Sequence, residues 1–224
     1  MIDYKVIDVN PDISEDRFVT LLQGSPALPS AVQVYRYCVS RRVSPLFLAA
    51  MFYKESTQGR YGWATRTFSW GNTRPPSFGV YGIGAYNQDT GRFYSLGSLL
   101  PKGRYLSAYG NWTEGGISTV ARLVEHTPYA GRKSVREIIP IWAPATDQND
   151  PEGYIQTVLW YIRENIGAGF PNAVQPDGRV QIGPVDFGGN VITVAEVIVR
   201  TVNDAGVLHE RSWRLDGLQP WGYR

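Results

Sequence analysis

The sequence predicts an α+β fold, with a mostly helical domain, a lobe of loops and short strands within it, and a small C-terminal β appendage. Three features of the 224 residues point to this fold. Helix-start signals cluster before residue 60 and after residue 112, glycine and aromatic residues concentrate between those positions, and β-branched residues dominate the segment around residue 195. A chain of this length can bury one sizeable core, or one core plus a small appendage.

The N-terminal region predicts a short extended segment followed by two helices. Residues 4–9 are expected to be extended. Ser14 is a favourable N-cap for a helix that runs to residue 22. Glycine and proline residues then interrupt the chain, and a second helix is expected from residue 31 to about residue 41.

The third helix has the strongest signals. Ser44 is a favourable N-cap and Pro45 a favourable first helical residue. The following segment, 46–53, is apolar on every face, which predicts a central, buried helix. The helix is expected to end in Lys-Glu-Ser at Glu55, with Gly59 as the stop signal.

Residues 61–112 differ from the helical regions on both sides. They contain nine glycines, twelve aromatic residues and five basic residues, but only one acidic residue, Asp89. Because no helical periodicity persists here, we predict a lobe of loops and short strands that is rich in aromatic side chains.

Helix signals return after the lobe. A helix is expected over 117–125. Another is expected over 134–142, where Ser134 and Glu137 have the spacing of a capping box and Pro140 should kink or end the helix. A third is expected to begin after Asp150 as N-cap and to end near residue 167.

The C-terminal segment predicts a β appendage. Residues 191–202 are β-branched on both faces, which indicates a buried strand. Residues 203–206, Asn-Asp-Ala-Gly, are typical of a hairpin turn, and 207–215 would form the return strand. We therefore divide the chain into a domain over 1–170 and an appendage over 175–224, which is a possible binding or docking module.

Composition excludes several classes of protein. One cysteine, Cys38, rules out an intramolecular disulfide, and a net charge of +2 is too small to argue for nucleic-acid binding. The sequence lacks a transmembrane segment and a recognisable signal peptide. Two histidines and a single cysteine make a zinc site unexpected, and the glycine spacing fits no nucleotide-binding motif, so no cofactor or metal is expected.

Glu55 is the principal candidate for chemistry. A carboxyl group at the end of an apolar helix is partly desolvated, which raises its pKa because burial disfavours the charged form. A carboxyl group that stays protonated near neutral pH can donate a proton to the leaving oxygen of a glycosidic bond. The alternative from the local pattern alone is a helix-end glutamate that turns to solvent.

Four segments in order resemble the glucosaminidase branch of the lysozyme superfamily, the family 73 glycoside hydrolases of autolysins, flagellar wall hydrolases and phage lysins. They are residues 47–56 (FLAAMFYKES), 70–74 (WGNTR), 109–117 (YGNWTEGGI) and 145–150 (ATDQND), the last followed by Tyr154. The resemblance covers roughly residues 40–165. It implies a lysozyme-like fold and cleavage of the β-1,4 glycan strands of peptidoglycan.

The resemblance also implies roles for individual residues. Glu55 would be the general acid, with Tyr154 close to it. The substrate-binding residues would be Ser56, Asn72, Arg74, Tyr81, Tyr109 and Trp112. Three of these residues have a plain alternative role: Ser56 as a helix-terminal hydroxyl, Asn72 as an ordinary turn residue, and Tyr154 as part of the core.

The second carboxylate departs from the fullest pattern of this family. Asp89 lies in a segment that also reads as a surface turn, and Glu114 is also expected as an acid at a helix N-terminus. If neither acts as base, the N-acetyl group of the substrate could be the nucleophile. Otherwise, the protein would be a lytic transglycosylase, which needs one acid and forms a 1,6-anhydro product.

The resulting expectation is an endo-β-N-acetylglucosaminidase that acts on peptidoglycan at the bacterial cell wall. Without a recognisable signal peptide, release by lysis or delivery by a phage or injection-type particle through 175–224 is expected, with no nucleic-acid or membrane partner. The alternatives are a lytic transglycosylase with the same substrate and an inactive wall-binding or structural protein that keeps the fold.

Overall fold

The computed structural model describes residues 3–75 and 82–166, together with the backbone of short strands between residues 173 and 214. The chain divides into two compact units, Met1–Ile182 and Gly183–Arg224. Its fold is mixed α+β, as predicted. None of the helices in the described ranges combines the length and the apolar character needed to cross a membrane.

The first unit contains the helices and two small sheets. The helices are α1 (Glu15–Leu21), α2 (Ala31–Ser40), α3 (Pro45–Ser56), α4 (Ala64–Thr67), α5 (Trp112–Glu125), α6 (Val135–Trp142) and α7 (Pro151–Asn165). The strands are β1 (Asp3–Tyr4), β2 (Gly82–Asn87), β3 (Phe93–Ser95), β4 (Tyr105–Tyr109), β5 (Ala173–Val174) and β6 (Val180–Gln181).

Helix α3 lies at the centre of the core, as its apolar sequence predicts. Residues 45–52 are all buried, and α3 packs against α7, α1 and α2. Both predicted caps are present: Ser44 accepts a hydrogen bond from the amide of Phe47 at 2.9 Å, and Ser14 accepts one from Arg17 at the start of α1. Buried neighbours on every side fix where α3 ends, and its last turn carries Glu55.

A buried carboxylate, Asp12, holds the N-terminal end of α3. Its side chain accepts hydrogen bonds from the hydroxyl of Tyr4 at 2.7 Å, from the hydroxyl of Ser44 and from the amide of Leu46 at 3.3 Å. Burial raises the pKa of Asp12 above its ordinary value, and these three donors partly oppose that effect. Asp12 therefore joins the N-terminal segment to the helix that carries the candidate acid.

Replacing Asp12 with alanine should lower the free energy of unfolding by about 1–3 kcal/mol, because it leaves buried donors without an acceptor. Urea-induced unfolding followed by circular dichroism measures this loss. Glu164→Ala is the control, because Glu164 is exposed on α7 and its removal should change stability by less than about 0.5 kcal/mol. Equal stability of the two variants would contradict a structural role for Asp12.

The lobe between α4 and α5 is built on a three-stranded antiparallel sheet in the order β3-β2-β4. Tyr86 lies opposite Phe93 on one side and Leu106 on the other. Gly84 is required by a close approach, because a Cβ there would lie 2.1 Å from the carbonyl oxygen of Tyr94. The prediction of short strands is confirmed. The four-residue helix α4 was not predicted, because so short a helix leaves no periodicity in the sequence.

One helix boundary differs from its prediction. Helix α5 begins at Trp112 rather than residue 117, because the side chain of Asn111 caps it by accepting from the backbone amide of Glu114 at 3.0 Å. The Gly-Gly pair near its start weakens the helical pattern in the sequence, since glycine disfavours helices. Helix α6 has the predicted bounds and the predicted capping box. Of the two effects expected at Pro140, an end of the helix is not observed, because α6 continues to Trp142.

The second unit contains β7 (Asp186–Phe187), β8 (Asn190–Val191), β9 (Glu196–Val202) and β10 (Leu208–Arg214). Strands β9 and β10 pair antiparallel, with Val202 opposite Leu208. The turn predicted at 203–206 lies outside the described residues. The long predicted strand begins later than expected, at Glu196, because Val191 pairs in β8 with β7 instead. The proposed docking role of 175–224 stays a prediction.

Candidate active site

The candidate site is the carboxyl group of Glu55 at the C-terminal end of α3. Its Oε1 atom accepts hydrogen bonds from the hydroxyl of Tyr154 at 2.8 Å and from the indole Nε1 of Trp142 at 3.0 Å. Its Oε2 atom accepts a hydrogen bond from the side-chain amide (Nδ2) of Asn72 at 3.0 Å. Three separate segments of the chain therefore meet at one carboxyl group, on a residue that as a whole is partly exposed.

Burial raises the pKa of Glu55 above its ordinary value, because the surrounding protein disfavours the charged form. The three hydrogen-bond donors and the nearby ammonium of Lys54 act in the opposite direction, and burial is the largest influence. The alternative that Glu55 simply turns to solvent does not fit this geometry. The arrangement instead holds a carboxyl group in place and favours its protonated form.

Tyr154 reaches Glu55 from the first turns of α7. Its side chain is buried, and burial followed by the neighbouring Glu55 raises the pKa of its hydroxyl well above the ordinary value. The ammonium of Lys54 lies 5.7 Å from the centre of the tyrosine ring. Tyr154 therefore keeps its proton near neutral pH and stays a donor to the carboxyl group, in contact with the candidate acid as well as part of the core.

Trp142 is the site residue that the sequence analysis missed. It ends α6, and its ring can approach the site because residue 71 is glycine: a Cβ there would lie 2.2 Å from the indole. The sequence did contain a signal for Trp142. It follows Ile139 by three residues and Ile138 by four, which places it on the same apolar face of the predicted helix. Tryptophan on such a face carries an N–H group that needs a buried acceptor.

Asn72 lies in the turn between α4 and the sheet, with a backbone φ of +46°. Asparagine is among the few residues that adopt this left-handed conformation readily. The preceding Trp70 is fully buried, and the carbonyl of the following Thr73 accepts from Ser107 of β4 at 2.7 Å. Contacts on both sides of Asn72 therefore fix the turn, and its side-chain amide lies within hydrogen-bond distance of the Glu55 carboxyl group. The segment predicted to line a cleft does lie beside the candidate acid.

Arg74 leaves this turn in an exposed position and pairs with Asp147 at 3.0 Å. Asp147 belongs to the segment 145–150 that precedes α7. The ion pair therefore links two of the four segments that carry the family resemblance. Since the guanidinium is exposed and held by one carboxylate, Arg74 stays available for a ligand.

Three predicted substrate-binding residues pack against the protein interior: Ser56 and Tyr109 are buried, and Trp112 is partly buried. Ser56 is buried and ends α3, donating to the carbonyl of Phe52 and accepting from the amide of Gly59. Tyr109 is 1% exposed, and its hydroxyl lies 3.0 Å from that of Thr73. The plain alternative therefore describes Ser56 better, and Tyr109 acts on the site through Thr73 rather than by offering a surface to a ligand.

Trp112, the third of these residues, packs against the core. Its ring lies 5.6 Å from that of Phe52 and 5.4 Å from that of Phe68. Its carbonyl accepts from the indole of Trp70 at 2.9 Å. Trp112 therefore anchors the start of α5. Tyr81, the remaining predicted binding residue, lies outside the described residues.

Among the described residues, neither candidate for a second carboxylate is hydrogen-bonded to Glu55. Asp89 is held by Arg104, whose Nε donates to it at 2.7 Å and whose backbone amide donates at 2.9 Å, and these bonds lower the pKa of Asp89. Glu114 accepts from the amide of Gly110 at 2.8 Å and from the side chain of Asn111 at 3.1 Å. Both carboxylates are thus engaged in local structure.

Within residues 3–75 and 82–166, no group of three or more histidine, cysteine, aspartate or glutamate side chains is arranged to hold a metal ion. The chemistry of the described site is therefore that of one carboxyl group and three neutral donors. Comparison with known proteins finds no match to the chain among family models, curated proteins or solved structures.

Proposed function

We propose that this protein cleaves the glycan strands of bacterial peptidoglycan with Glu55 as the general acid. The observation that carries the proposal is the carboxyl group of Glu55, buried at the end of an apolar helix and held by Tyr154, Trp142 and Asn72. Cleavage of a glycosidic bond needs a positioned acid that is protonated at the working pH. The bacterial cell wall would be the place of action.

The hydrogen bonds indicate which oxygen of Glu55 carries the proton. Oε1 accepts two donors, which occupy its lone pairs, whereas Oε2 accepts only the amide of Asn72 from the described residues. The proton therefore belongs on Oε2, from which it passes to the leaving glycosidic oxygen as the bond to the anomeric carbon breaks. Tyr154, Trp142 and Asn72 then stabilise the carboxylate that forms.

The choice of substrate rests on the family resemblance and on how its segments converge. Segment 47–56 supplies Glu55, segment 70–74 supplies Asn72, and segment 145–150 leads into the helix that carries Tyr154. Segment 109–117 contacts the others through Tyr109 and Trp112. Four stretches that are distant along the chain thus contribute to one site.

A lytic transglycosylase is the second candidate, and the local contacts of Asp89 and Glu114 favour it. With both carboxylates engaged elsewhere, Glu55 could serve alone. Glu55 would first donate its proton to the leaving glycosidic oxygen as the bond to the anomeric carbon of N-acetylmuramic acid breaks. The resulting carboxylate would then accept the proton of the C6 hydroxyl of the same sugar while that oxygen bonds to the anomeric carbon. The products would be a 1,6-anhydro end and a free hydroxyl on the leaving sugar.

Mass spectrometry of the fragments released from purified peptidoglycan separates these reactions. Reducing N-acetylglucosamine ends indicate the hydrolase, and 1,6-anhydromuramic ends indicate the transglycosylase. Asp89→Asn adds a second comparison, because the variant should retain cleavage if Asp89 only holds Arg104. Wall binding without new glycan ends would support the inactive binding protein and contradict the proposal.

The pH dependence of cleavage should move when Tyr154 is replaced with phenylalanine. A raised pKa keeps Glu55 protonated to higher pH, and activity falls as the pH rises through that pKa. Removing the hydroxyl removes a donor that lowers the pKa of Glu55, so the alkaline limb of the pH–rate profile should shift to higher pH.

Tyr161→Phe is the matched control for that prediction. Tyr161 lies on the same helix, but its hydroxyl accepts from the side chain of Gln58 at 2.8 Å. This variant should leave the alkaline limb where it is in the wild type. If the alkaline limb of Tyr154→Phe also coincides with that of the wild type, Tyr154 does not set the pKa of Glu55.

A further inference from the structure

An open cavity of about 320 Å³ lies in the lobe, next to the turn that carries Asn72. Its walls include the side chains of Arg74, Gln88, Leu100, Arg104 and Tyr105. A volume of this size is at the lower end of the range for ligand sites and holds a group the size of an amino acid or a single sugar. No role has been assigned to this cavity above.

Among the residues that the structure describes, the lining contains two arginines and no carboxylate. Each guanidinium is held in place by an aspartate outside the lining: Arg74 by Asp147 at 3.0 Å, and Arg104 by Asp89 at 2.6 Å. Because aspartates fix the arginine side chains before a ligand arrives, less conformational entropy is lost when one binds. The cavity is thus built around two positioned cations.

Both guanidiniums keep donors for a ligand. Arg104 uses Nε and Nη2 for Asp89, and Arg74 uses Nη1 for Asp147. The remaining N–H groups, Nη1 of Arg104 and Nε and Nη2 of Arg74, make no hydrogen bond to any residue that the structure describes. A carboxylate is the group that a guanidinium binds best through paired N–H donors.

The remaining lining residues can contact the peptide of a ligand that carries such a carboxylate. The hydroxyl of Tyr105 donates to the carbonyl of Pro101 at 2.7 Å, which fixes the ring, and Leu100 is 40% exposed. These two side chains provide apolar surface, while Gln88 adds an amide that can pair with a peptide group. The lining thus combines cations, an amide and apolar area, as a short acidic peptide requires.

The cavity is close to the candidate acid along the chain. Arg74 follows Asn72 by two residues, which is about 7 Å of extended backbone at most, and Asn72 contacts Glu55 directly. The cavity therefore lies within reach of a substrate that is bound at Glu55 and follows this turn. Peptidoglycan differs from neutral glycans in its lactyl ether, which bears a peptide with free carboxylates beside the glycan strand.

We propose that this cavity is a subsite for the acidic peptide stem of the substrate, bound through the guanidiniums of Arg74 and Arg104. The inference rests on the proposed function and deepens it, because it makes the peptide a determinant of specificity. Asp89 and Asp147 are then positioning residues that orient the two arginines. The protein would favour peptide-bearing glycan over chemically similar strands that lack the peptide.

The experiment compares cleavage of peptidoglycan strands with and without their stem peptides. For Arg104→Gln, the KM for peptide-bearing strands should rise roughly five- to thirtyfold with little change in kcat, and the KM for peptide-free strands should stay constant. Arg66→Gln is the matched control, since Arg66 lies on α4 and outside the cavity lining. Equal effects of Arg104→Gln on both substrates, or no effect, would overturn the subsite.

A binding measurement separates failure of the subsite from failure of the proposed function. Muramyl dipeptide, which carries the lactyl ether and a free carboxylate, is titrated into the Glu55→Gln protein and followed by NMR. The expected result is shifts at the side chains of Arg74 and Arg104 that are absent with neutral chitobiose and weakened in the Arg104→Gln background. Absence of these shifts would overturn the subsite even if wild-type protein cleaves peptidoglycan, and their presence without cleavage would contradict only the proposed function.

Discussion

Replacing Glu55 with glutamine should reduce the rate of glycan cleavage by about 10²–10⁴-fold, the contribution of one positioned general acid. Glutamine has nearly the same shape but no proton that it can transfer to a leaving oxygen. Because the site residues do not depend on the charge of Glu55 for their own packing, the variant should fold and bind the wall. Release of soluble fragments from purified peptidoglycan, measured over time, gives the ratio of rates.

Glu164→Gln is the matched control, since it makes the same chemical change at an exposed position on α7. It should retain the wild-type rate. Equal rates for Glu55→Gln and the wild type would remove Glu55 as the acid. A comparable loss in Glu164→Gln would show that the assay reports on something other than the site.

The stability of the same variant gives a second readout that needs no substrate. The raised pKa of Glu55 means that its ionisation is disfavoured in the folded state. The free energy of unfolding of the wild type should therefore fall as the pH rises from the ordinary range of a glutamate through the folded-state pKa. Glutamine cannot ionise, so the Tm of Glu55→Gln should rise relative to the Tm of the wild type as the pH increases through this window.

Replacing Trp70 with alanine should lower the free energy of unfolding by about 3–5 kcal/mol, the largest effect on stability expected here. Trp70 is fully buried, stacks on Phe52 of α3 with ring centres 4.3 Å apart, and donates to the carbonyl of Trp112. Its loss would leave a large cavity under the turn that carries Asn72. Urea-induced unfolding with an unchanged slope would report the loss directly.

Trp160→Ala is the control for the size of the side chain. Trp160 lies on α7 with 48% of its surface exposed, so its replacement should cost less than about 1 kcal/mol. If the two tryptophan variants unfolded at the same urea concentration, Trp70 would not hold the lobe to α3. A loss confined to Trp70→Ala would support the packing described above.

Local signals predicted the elements that depend on local chemistry. Ser44 and Pro45 set the start of α3, and Ser134 with Glu137 set the start of α6, because caps act within one turn. The position of Glu55 at the end of the apolar helix followed from the same pattern. These features need no knowledge of the rest of the chain.

Features that depend on distant contacts could not be predicted in this way. Trp142 touches Glu55 because α6 and α3 both pack against α7 and because Gly71 leaves room for the indole, and neither condition is visible in a local window. Tyr109 has the residue type of a sugar-binding surface, but its place in β4 turns it toward Thr73. Arg104 engages Asp89 from 15 residues away. Tertiary packing decided all three.

The central claim is that the fold keeps the carboxyl group of Glu55 protonated near neutral pH, ready to donate. An NMR titration of the side-chain carboxyl carbon of Glu55, assigned by comparison with Glu55→Gln, tests this most directly. The expected result is a pKa clearly above the value of about 4.3 for a solvated glutamate and equal to the pKa of the alkaline limb of the pH–rate profile. A pKa at or below the solvated value would contradict the role of Glu55 as the acid.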